Sequence, residues 1–393
     1  MIKTSILCRL ALGWVLLVLF QYPAGADSPN GCSWPFWSAY THRFMQSDGR
    51  IIDFHGENNV STSEGQAYSL FFALVANDQE SFKKILNWTQ YNLANGDFGA
   101  NLPAWQWGKQ DGGKWGVLDS NSASDADLWM AYTLFQAASL WDKPEYQALG
   151  SIMLGKIKLQ ELASLPKLGQ TLLPAPKGFV LPNNRWRLNT SYVPLQLGRY
   201  FVKQDPSGPW SKVMLSQAQM LKGATKNGYM PDWAIYDAKL GWINDETTAG
   251  VGSYDAIRVY LWLGMMDQAD TTKASLIRQF YGMQASLAAK KPMIAERINA
   301  PAAEQFRNAP IGFYAALIPY ADTANSKVQA GKLISMVKAK LNNGLLGDNP
   351  NYYDQVLGMF GLGWAEKRFS FDLDGNLQVA WKAHCISAAA ADK

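Results

Sequence analysis

Apolar residues recur at helical spacing through most of the chain. Between residues 65 and 77, for example, Leu70, Phe71 and Leu74 lie three and four residues apart, which is the pattern of an amphipathic helix. The same periodicity predicts helices over 65–77, 80–92, 125–141, 144–163, 191–203, 210–222, 254–267, 271–287, 309–321, 325–341 and 351–362. So many helices, joined by loops, indicate an all-α body.

Two short stretches alternate apolar and polar residues instead. Residues 44–54 surround a Ser-Asp-Gly turn at 47–49, with 50–53 as the returning strand, and residues 367–381 surround an Asp-Gly-Asn turn at 374–376. Alternation on both sides of such turns is typical of a hairpin. We therefore expect short β-hairpins near the two ends of the helical body.

The first residues have the pattern of a secretory signal peptide. Lys3 and Arg9 precede an apolar run from 10 to 20, and the small residues at 24–26 offer a cleavage site. The run is shorter than the roughly 18 apolar residues of a membrane-spanning helix. We expect cleavage after residue 26 and export to the periplasm or the medium. Because no flexible linker interrupts residues 27–393, we expect a single domain with no transmembrane segment.

Charge and cysteine content exclude several classes of function. The chain has 36 basic and 32 acidic residues, a near balance that argues against nucleic acid as a partner. Cys8 lies in the predicted signal, so Cys32 and Cys385 remain, and the sequence leaves open whether they form a disulfide. The chain has no paired Cys motif and only three histidines, so we predict no metal and no cofactor; the histidines are His42, His55 and His384.

Three stretches place a carboxylate in the first turn of a predicted helix. If successive helical hairpins pack around a common axis, alternate helix starts lie at one end and these acids converge there. The three acids are Glu64 in STSEGQAY (61–68), Asp125 in SASDADLW (122–129) and Asp255 in GSYDAIRVY (252–260).

Glu64 has two interpretations. Ser61 with Glu64, or Ser63 with Gln66, matches the capping box that begins many helices. The same position also suits a catalytic acid. Local spacing leaves the two open.

Carboxylates are the main candidate catalytic groups. The sequence contains no GxSxG nucleophile motif, whereas glycoside hydrolysis needs only a pair of carboxyl groups. Tryptophan rings offer apolar faces to sugars, and five of the 16 Trp lie in polar loops and are candidate substrate-binding residues: Trp105, Trp107, Trp115, Trp186 and Trp233. Trp141 and Trp262 lie within apolar helices, and we assign them to the core.

The acidic motifs resemble a known family. TSEGQAY, ASDADLWMA and SYDAIRVYLW closely resemble glycoside hydrolase family 8, and NYYDQVLGMFGLGW near the C-terminus is similar to endoglucanases associated with bacterial cellulose synthesis. The resemblance runs from about residue 32 to about residue 381 and so covers nearly all of the predicted mature chain.

The resemblance implies a fold and an activity. The fold is an (α/α)6 barrel of six inner and six outer helices, with an open cleft across the N-termini of the inner helices. The activity is endo-acting hydrolysis of β-1,4-glucan with inversion, and the partners are a glucan chain and possible components of a cellulose synthase or export complex. Xylan, mixed-linkage glucan and chitosan remain alternative substrates, and a non-catalytic glucan-binding protein is an alternative of another class.

The resemblance also implies roles for individual residues. Glu64 matches the proton donor, and Asp255 matches the general base that activates water. Asp125 matches an acid that older signatures call the nucleophile; under inversion we expect it to grip and distort the sugar. Tyr192 and Arg258 match groups that orient the base and its water.

The position of Glu64 sets a physical requirement. The dipole at a helix N-terminus lowers the pKa of a carboxyl group, whereas a general acid needs a raised pKa. We expect burial and a neighbouring carboxylate such as Asp125 to raise it. Asp127 is interpreted as a structural residue of its helix start.

Overall fold

The computed structural model describes residues 33–55, 59–289, 292–324 and 326–382. Its α-helices are Pro35–Phe44 (α1), Ser63–Val75 (α2), Gln79–Asn92 (α3), Ser124–Trp141 (α4), Pro144–Gln160 (α5), Leu195–Gln204 (α6), Trp210–Ala224 (α7), Ala256–Met265 (α8), Thr271–Ile277 (α9), Tyr281–Ala288 (α10), Ile311–Ala316 (α11), Ile318–Ala324 (α12), Lys327–Lys338 (α13) and Tyr352–Ala365 (α14). Among these described helices, none combines the length and apolar character needed to cross a bilayer.

Short antiparallel strands connect the helices. They are Ser61–Thr62 (β1), Gln106–Lys109 (β2), Trp115–Asp119 (β3), Leu162–Leu165 (β4), Gly169–Leu172 (β5), Val180–Leu181 (β6), Arg185–Asn189 (β7), Trp233–Asp237 (β8), Gly241–Asn244 (β9), Val251–Gly252 (β10), Ala295–Asn299 (β11), Glu304–Asn308 (β12), Leu341–Asn342 (β13), Leu345–Leu346 (β14), Phe369–Phe371 (β15) and Leu377–Val379 (β16). Strands β1–β3, β6–β9 and β10–β12 form three sheets, and the remaining six strands form three hairpins. Strands therefore occur throughout the helical body, in addition to the short hairpins expected near its two ends.

Alternate helices surround an aromatic core. Helix α2 packs on α4, α4 on α6, α6 on α8, α8 on the broken pair α11–α12, and that pair on α14. Phe71 of α2 lies 5.0 Å from Trp129 of α4, between ring centroids, and Phe72 of α2 lies 4.6 Å from Phe360 of α14. The helices between them pack outside their neighbours, as α3 does on α2 and α5 on α4.

Most predicted helices are present, but several bounds differ for local reasons. The segment predicted over 309–321 is divided between α11 and α12, because Pro319 has no N–H for an unbroken helix. The segment predicted over 271–287 is divided by a 3₁₀ turn at Arg278–Phe280. Helix α5 ends at Gln160, before the residues that form β4.

The chain near the predicted N-terminal hairpin contains a helix that the prediction missed. Pro35 occupies the first turn of α1, where its missing N–H costs nothing. Met45 and Ile51 then form an isolated bridge across the turn at 47–49, where Gln46 N–H donates to the Arg50 carbonyl oxygen at 2.8 Å and Ile52 N–H donates to the Phe44 carbonyl oxygen at 2.9 Å. The C-terminal hairpin is confirmed, since β15 pairs with β16.

The two tryptophans assigned to the core do pack in helices. Trp262 is buried and donates to the carbonyl oxygen of Ser191 at 3.0 Å. Trp141 lies edge-on to Phe82, with 5.0 Å between ring centroids, and donates to Asn77. Their polar N–H groups are thus satisfied without solvent or ligand.

Candidate active site

Glu64 is the second residue of α2 and does not cap the helix. Thr62 is the N-cap, and its Oγ1 accepts from the Gly65 N–H at 3.0 Å. The Gln66 side chain turns away and accepts from the Ile51 N–H at 2.7 Å. Neither predicted capping box forms, so the cap interpretation of Glu64 was wrong.

A single guanidinium joins the three candidate acids. Arg258 of α8 is buried, and its Nη2 donates to Asp255 Oδ1 at 2.6 Å. Its Nη1 forms an ion pair with Glu64 and lies 3.5 Å from Asp125 Oδ2. Ser191 Oγ accepts from the same guanidinium at 3.1 Å. The helix starts thus bring the three acids together as expected, and the acids surround Arg258.

Burial dominates the electrostatics of Glu64. It raises the pKa of the Glu64 carboxyl above its ordinary value, while the positive charge of Arg258 opposes the rise. Among neighbouring carboxylates, Asp255 adds most to the rise in the pKa of Glu64. Because 22% of its side chain is exposed, Glu64 can still meet a substrate. The helix dipole is therefore overcome, chiefly by desolvation.

Asp125 lies deeper than the other two acids. Burial raises its pKa to about 7, again against the charge of Arg258, with Glu64 adding to the rise. A side chain that holds a proton near neutral pH can donate a hydrogen bond to a sugar hydroxyl. It is correspondingly a poor nucleophile, because only the carboxylate attacks.

Asp232 is a site residue that the sequence analysis missed. Its Oδ1 accepts from three backbone N–H groups at the start of α8, those of Ser253 at 2.6 Å, Ala256 at 2.7 Å and Asp255 at 3.2 Å. Asp255 occupies the N-cap position but makes no capping hydrogen bond. Asp232 therefore caps the helix in its place, which leaves the Asp255 carboxylate free to bind Arg258.

Tyr192 lies beside this cluster. The Arg258 guanidinium carbon is 5.8 Å from its ring centroid, and Trp233 approaches from another side at 6.0 Å. Burial raises the pKa of the Tyr192 phenol, so the hydroxyl stays protonated and able to donate. Trp233 in turn stacks parallel to Phe179 at 5.7 Å.

Of the other four predicted tryptophans, three are at least partly exposed and one is buried. Trp107 and Trp115 stack at 5.4 Å, with the Arg50 guanidinium beside both rings, and Trp115 is 49% exposed. Trp105 lies next to the start of α2, where its backbone carbonyl oxygen accepts from the Ser63 N–H at 3.0 Å. Trp186 is buried against Tyr236.

The structure therefore does not support Trp186 as a substrate-binding residue. The alternation of buried and exposed side chains along β7 explains why Trp186 was assigned to substrate binding. Arg185 and Arg187 flank Trp186 in sequence and made it look like a loop residue, but successive side chains of a strand point to opposite faces. Trp186 and Leu188 are the buried face of that strand.

Glu64 opens onto a cavity of about 460 Å³. Its lining includes three tyrosines that residue pattern alone did not single out, Tyr254, Tyr352 and Tyr353. Tyr353 donates to the Tyr254 carbonyl oxygen at 2.6 Å, which joins the start of α14 to the start of α8. A larger cavity, of about 690 Å³, lies at the other end of α4 and contains none of the three acids.

Some residues that bear on the metal and disulfide predictions lie outside the described ranges. No group of His, Cys, Asp and Glu side chains within the described ranges has the arrangement of a metal site. The predicted signal, Cys32, Cys385 and His384 lie outside the described residues.

Comparison with known proteins identifies the family. The family model for glycosyl hydrolases family 8 matches residues 13–367. The chain belongs to this family. It is 42% identical to an endoglucanase of Xanthomonas axonopodis pv. citri, with 93% of this chain and 94% of the relative aligned. It is 38% identical to an endoglucanase of Salmonella typhi, over 96% and 98% of the two chains.

Solved structures agree with the sequence matches. The crystal structure of an endo-1,4-D-glucanase from Vibrio fischeri ES114 superposes with a TM-score of 0.84 at 39% identity, over 89% of this chain and 99% of that one. The endo-β-1,4-glucanase CMCax from Acetobacter xylinum, at 22% identity and a TM-score of 0.68, shares the fold. The chain is thus a family 8 glycoside hydrolase with a largely helical fold.

Proposed function

We propose that this family 8 hydrolase cleaves internal β-1,4-glucosidic bonds of cellulose with inversion of configuration. The observation that carries the proposal is the single Arg258 guanidinium that holds Glu64, Asp125 and Asp255 at three helix starts. The endoglucanase names of its full-length relatives support the substrate class. The helix contacts support an (α/α)6 arrangement in which α2, α4, α6, α8, α11–α12 and α14 are the inner helices.

Glu64 is the proposed proton donor. Burial raises the pKa of Glu64 above its ordinary value, which favours the protonated form that a general acid needs, and its position on the cavity wall brings that proton to the glycosidic oxygen. To transfer its proton to the glycosidic oxygen, Glu64 must leave its ion pair with Arg258. That release leaves Arg258 paired with the Asp255 carboxylate, with Asp125 Oδ2 nearby at 3.5 Å, so the buried cation keeps a carboxylate partner.

Asp255 is the proposed general base. Arg258 fixes its carboxylate and Asp232 fixes its backbone, so it presents one defined orientation to a water molecule. An inverting pair needs about 6.5 to 9.5 Å between the two carboxyl groups. We therefore expect Glu64 to move away from the guanidinium when a sugar and a water enter. Tyr192, beside Arg258, is placed to orient that water.

Asp125 and four tryptophans that are exposed or half-buried are proposed to bind the glucan. Asp125 grips and distorts the sugar at the cleavage point. Trp105, Trp107, Trp115 and Trp233 supply flat apolar surfaces for neighbouring glucose units.

A substrate panel tests the reaction class. Purified protein is incubated with carboxymethylcellulose, xylan, mixed-linkage glucan and chitosan, and viscosity is followed against new reducing ends. We expect viscosity of carboxymethylcellulose to fall early, before many ends appear, because an endo-enzyme cuts chains internally. Faster cleavage of xylan or chitosan would reassign the substrate, and binding without cleavage would identify a non-catalytic glucan-binding protein.

Stereochemistry is a separate test. Early NMR spectra of the products should show the α-anomer, because water attacks the face opposite the leaving group in an inverting reaction. A β-anomer at first turnover would mean retention, and would return Asp125 or Asp255 to the role of covalent nucleophile.

Export and a role in cellulose biosynthesis complete the proposal. The signal pattern in residues 1–26 supports cleavage before Asp27 and delivery to the periplasm or the medium, where a newly made glucan is accessible. Intact mass of protein recovered from cell fractions tests the cleavage and the compartment. The same measurement with and without reductant decides whether Cys32 and Cys385 are bridged.

A further inference from the structure

Two buried acids lie behind the active site and take no part in the proposed reaction. Asp127, in the first turns of α4, and Glu161, the residue after α5, are both fully buried. Ser122 Oγ donates to Glu161 Oε1. Asp125, the sugar-gripping acid, precedes Asp127 by two residues.

If both side chains were carboxylates, the pair would contain buried acceptor oxygens without hydrogen-bond donors. Asp127 Oδ1, Asp127 Oδ2 and Glu161 Oε2 receive no N–H or O–H donor from any residue in the described part of the chain. The two side chains nevertheless lie within hydrogen-bonding reach of each other. Two carboxylates have no hydrogen to share, and two buried like charges in contact are strongly unfavourable. One added proton removes one of the two charges and gives the two acids a hydrogen bond to each other.

We propose that Asp127 keeps its proton at neutral pH, donates it to Glu161, and thereby acts as a positioning residue for Asp125. Glu161 is the acceptor of the pair because it already accepts from Ser122. The proton therefore lies on Asp127, and Glu161 receives one hydrogen bond from each side.

The pair connects the segments that hold Asp125. The N-cap residue of α4 is Ala123, which has no side-chain acceptor for the first N–H groups. Instead Ser124 N–H donates to the Pro174 carbonyl oxygen at 3.0 Å, and Leu173 N–H donates to the Glu161 carbonyl oxygen at 2.7 Å. The Asp127–Glu161 hydrogen bond joins α4 directly to the end of α5. Together with the two backbone hydrogen bonds, it connects α4, the end of α5 and the chain after β5.

The charge of the pair also matters for the site. Asp125 is the charged neighbour that faces both acids, and Arg258 lies beyond it. Burial raises the pKa of both acids, that of Glu161 to about 8. A pair that keeps a proton places at most one negative charge next to Asp125, whereas a fully ionised pair would place two there, repel Asp125 more strongly and compete for Arg258.

Substitutions at 127 separate this role from simple packing. Asp127→Asn retains a donor toward Glu161, so we expect kcat/KM on carboxymethylcellulose within about threefold of wild type. Asp127→Leu fills similar space without a donor, and we expect at least about a tenfold loss that Asp127→Asn does not show. A folded Asp127→Asn protein with activity reduced about 100-fold would show that the ionised acid is needed, and wild-type activity in Asp127→Leu would show that the hydrogen bond is not. Either result would overturn the proposal.

The proton can also be observed directly. In protein labelled with ¹³C at the aspartate side-chain carboxyl, the Asp127 signal is the one absent from Asp127→Asn. We expect it to keep the chemical shift of a protonated acid from about pH 5 to 8, whereas an ordinary aspartate titrates near pH 4. Titration near pH 4 would contradict the proposal even if Asp127→Leu fails to fold. Only the activity measurements rest on the proposed function; if wild-type protein leaves carboxymethylcellulose intact, that function fails while the NMR signal still tests the proton.

Discussion

At the scale of single residues, Glu64, the proposed proton donor, shows how a helix start can hold a carboxyl group with a raised pKa. Thr62 performs the capping that the sequence allowed us to assign to Glu64. The carboxyl group is thus released for other contacts, and burial raises its pKa against the helix dipole.

Glu64→Gln should abolish most activity without harming the fold. The amide keeps the size of the side chain but has no proton to transfer, so cleavage of carboxymethylcellulose should fall by about 10² to 10⁴. Unfolding by urea should change little, because Thr62 still caps α2. The matched control is Glu80→Gln, which makes the same change at the second residue of α3, where Glu80 is exposed and paired only with Lys84 among the described residues.

Activated substrates sharpen this comparison. An aryl glycoside with a good leaving group needs little protonation, so Glu64→Gln should lose much less activity on it than on cellulose. Near-wild-type cleavage of carboxymethylcellulose by Glu64→Gln would refute the assignment of the proton donor.

Two tryptophans should respond in opposite ways to truncation. Trp115→Ala removes a half-exposed ring that stacks on Trp107, so we expect a several-fold higher KM for long glucans, about 0.5 to 1.5 kcal/mol, and little change in stability. Trp186→Ala removes a buried ring and should cost about 3 to 5 kcal/mol of unfolding free energy. Kinetics and urea unfolding on both variants measure the contrast. Equal effects on KM would place both rings in the cleft.

The sequence could identify some site residues and not others for a physical reason. Glu64, Asp125 and Asp255 each stand at a helix start with recognisable neighbours in sequence. Asp232 has no such signal, because its partners lie 21 to 24 residues away and become neighbours only when β10 leads into α8. Long-range capping of this kind is invisible to local pattern.

At the scale of elements, the start of α8 depends on that distant cap. Asp232→Ala removes the acceptor of three N–H groups, and we expect a loss of about 1 to 3 kcal/mol of unfolding free energy. Activity should fall as well, because Asp255 at the N-cap position can then turn from Arg258 toward the orphaned N–H groups.

Asp232→Asn is the control for this prediction. Its side-chain oxygen can still accept from the same N–H groups, so stability and activity should stay closer to wild type than in Asp232→Ala. Urea unfolding and kcat on carboxymethylcellulose provide both readings. An Asp232→Ala protein with wild-type kcat would show that the cap does not orient Asp255.

Elements differ in how strongly the sequence determines them. Helices α2 and α4 have buried residues on nearly every side, so their long apolar segments were clear predictions. Strands β2 and β3 contain tryptophan and glycine without clean alternation, and their residues were interpreted as loops. Their pairing, with Trp107 opposite Val117, is a property of the folded cleft wall.

At the scale of the whole molecule, the buried acids in and near the site also make the free energy of unfolding depend on pH. Burial raises the pKa of Glu64, and raises those of Asp125 and Asp232 to about 7 and that of Glu161 to about 8. Exposed or paired acids act the other way, since hydrogen bonds and Arg187 lower the pKa of Asp245 despite its desolvation. The two groups affect different pH ranges.

Stability should therefore fall as pH rises from mildly acidic to alkaline values. A carboxyl group with a raised folded-state pKa binds its proton more tightly in the folded protein, so its stabilisation is complete below the unfolded value, about pH 4, and is lost as pH rises through about 7 to 8. The contribution of Asp245 has the opposite sign and is lost only as pH falls below about 4. The midpoint of urea unfolding should decrease from about pH 5 to 8 and then level off.

Glu161→Gln should reduce this pH dependence, because it removes one buried group that titrates in the range. The matched control is Asp237→Asn: Asp237 is the last residue of β8, beside the turn to β9, and hydrogen bonds from the Leu240 and Lys239 N–H groups lower its pKa. That change should leave the slope above about pH 5 unaltered, since a carboxyl with a lowered pKa is ionised throughout the range in both states. A urea midpoint that rises with pH in wild-type protein would mean that the buried acids are ionised in the folded state, and that solvent or bound ions satisfy them.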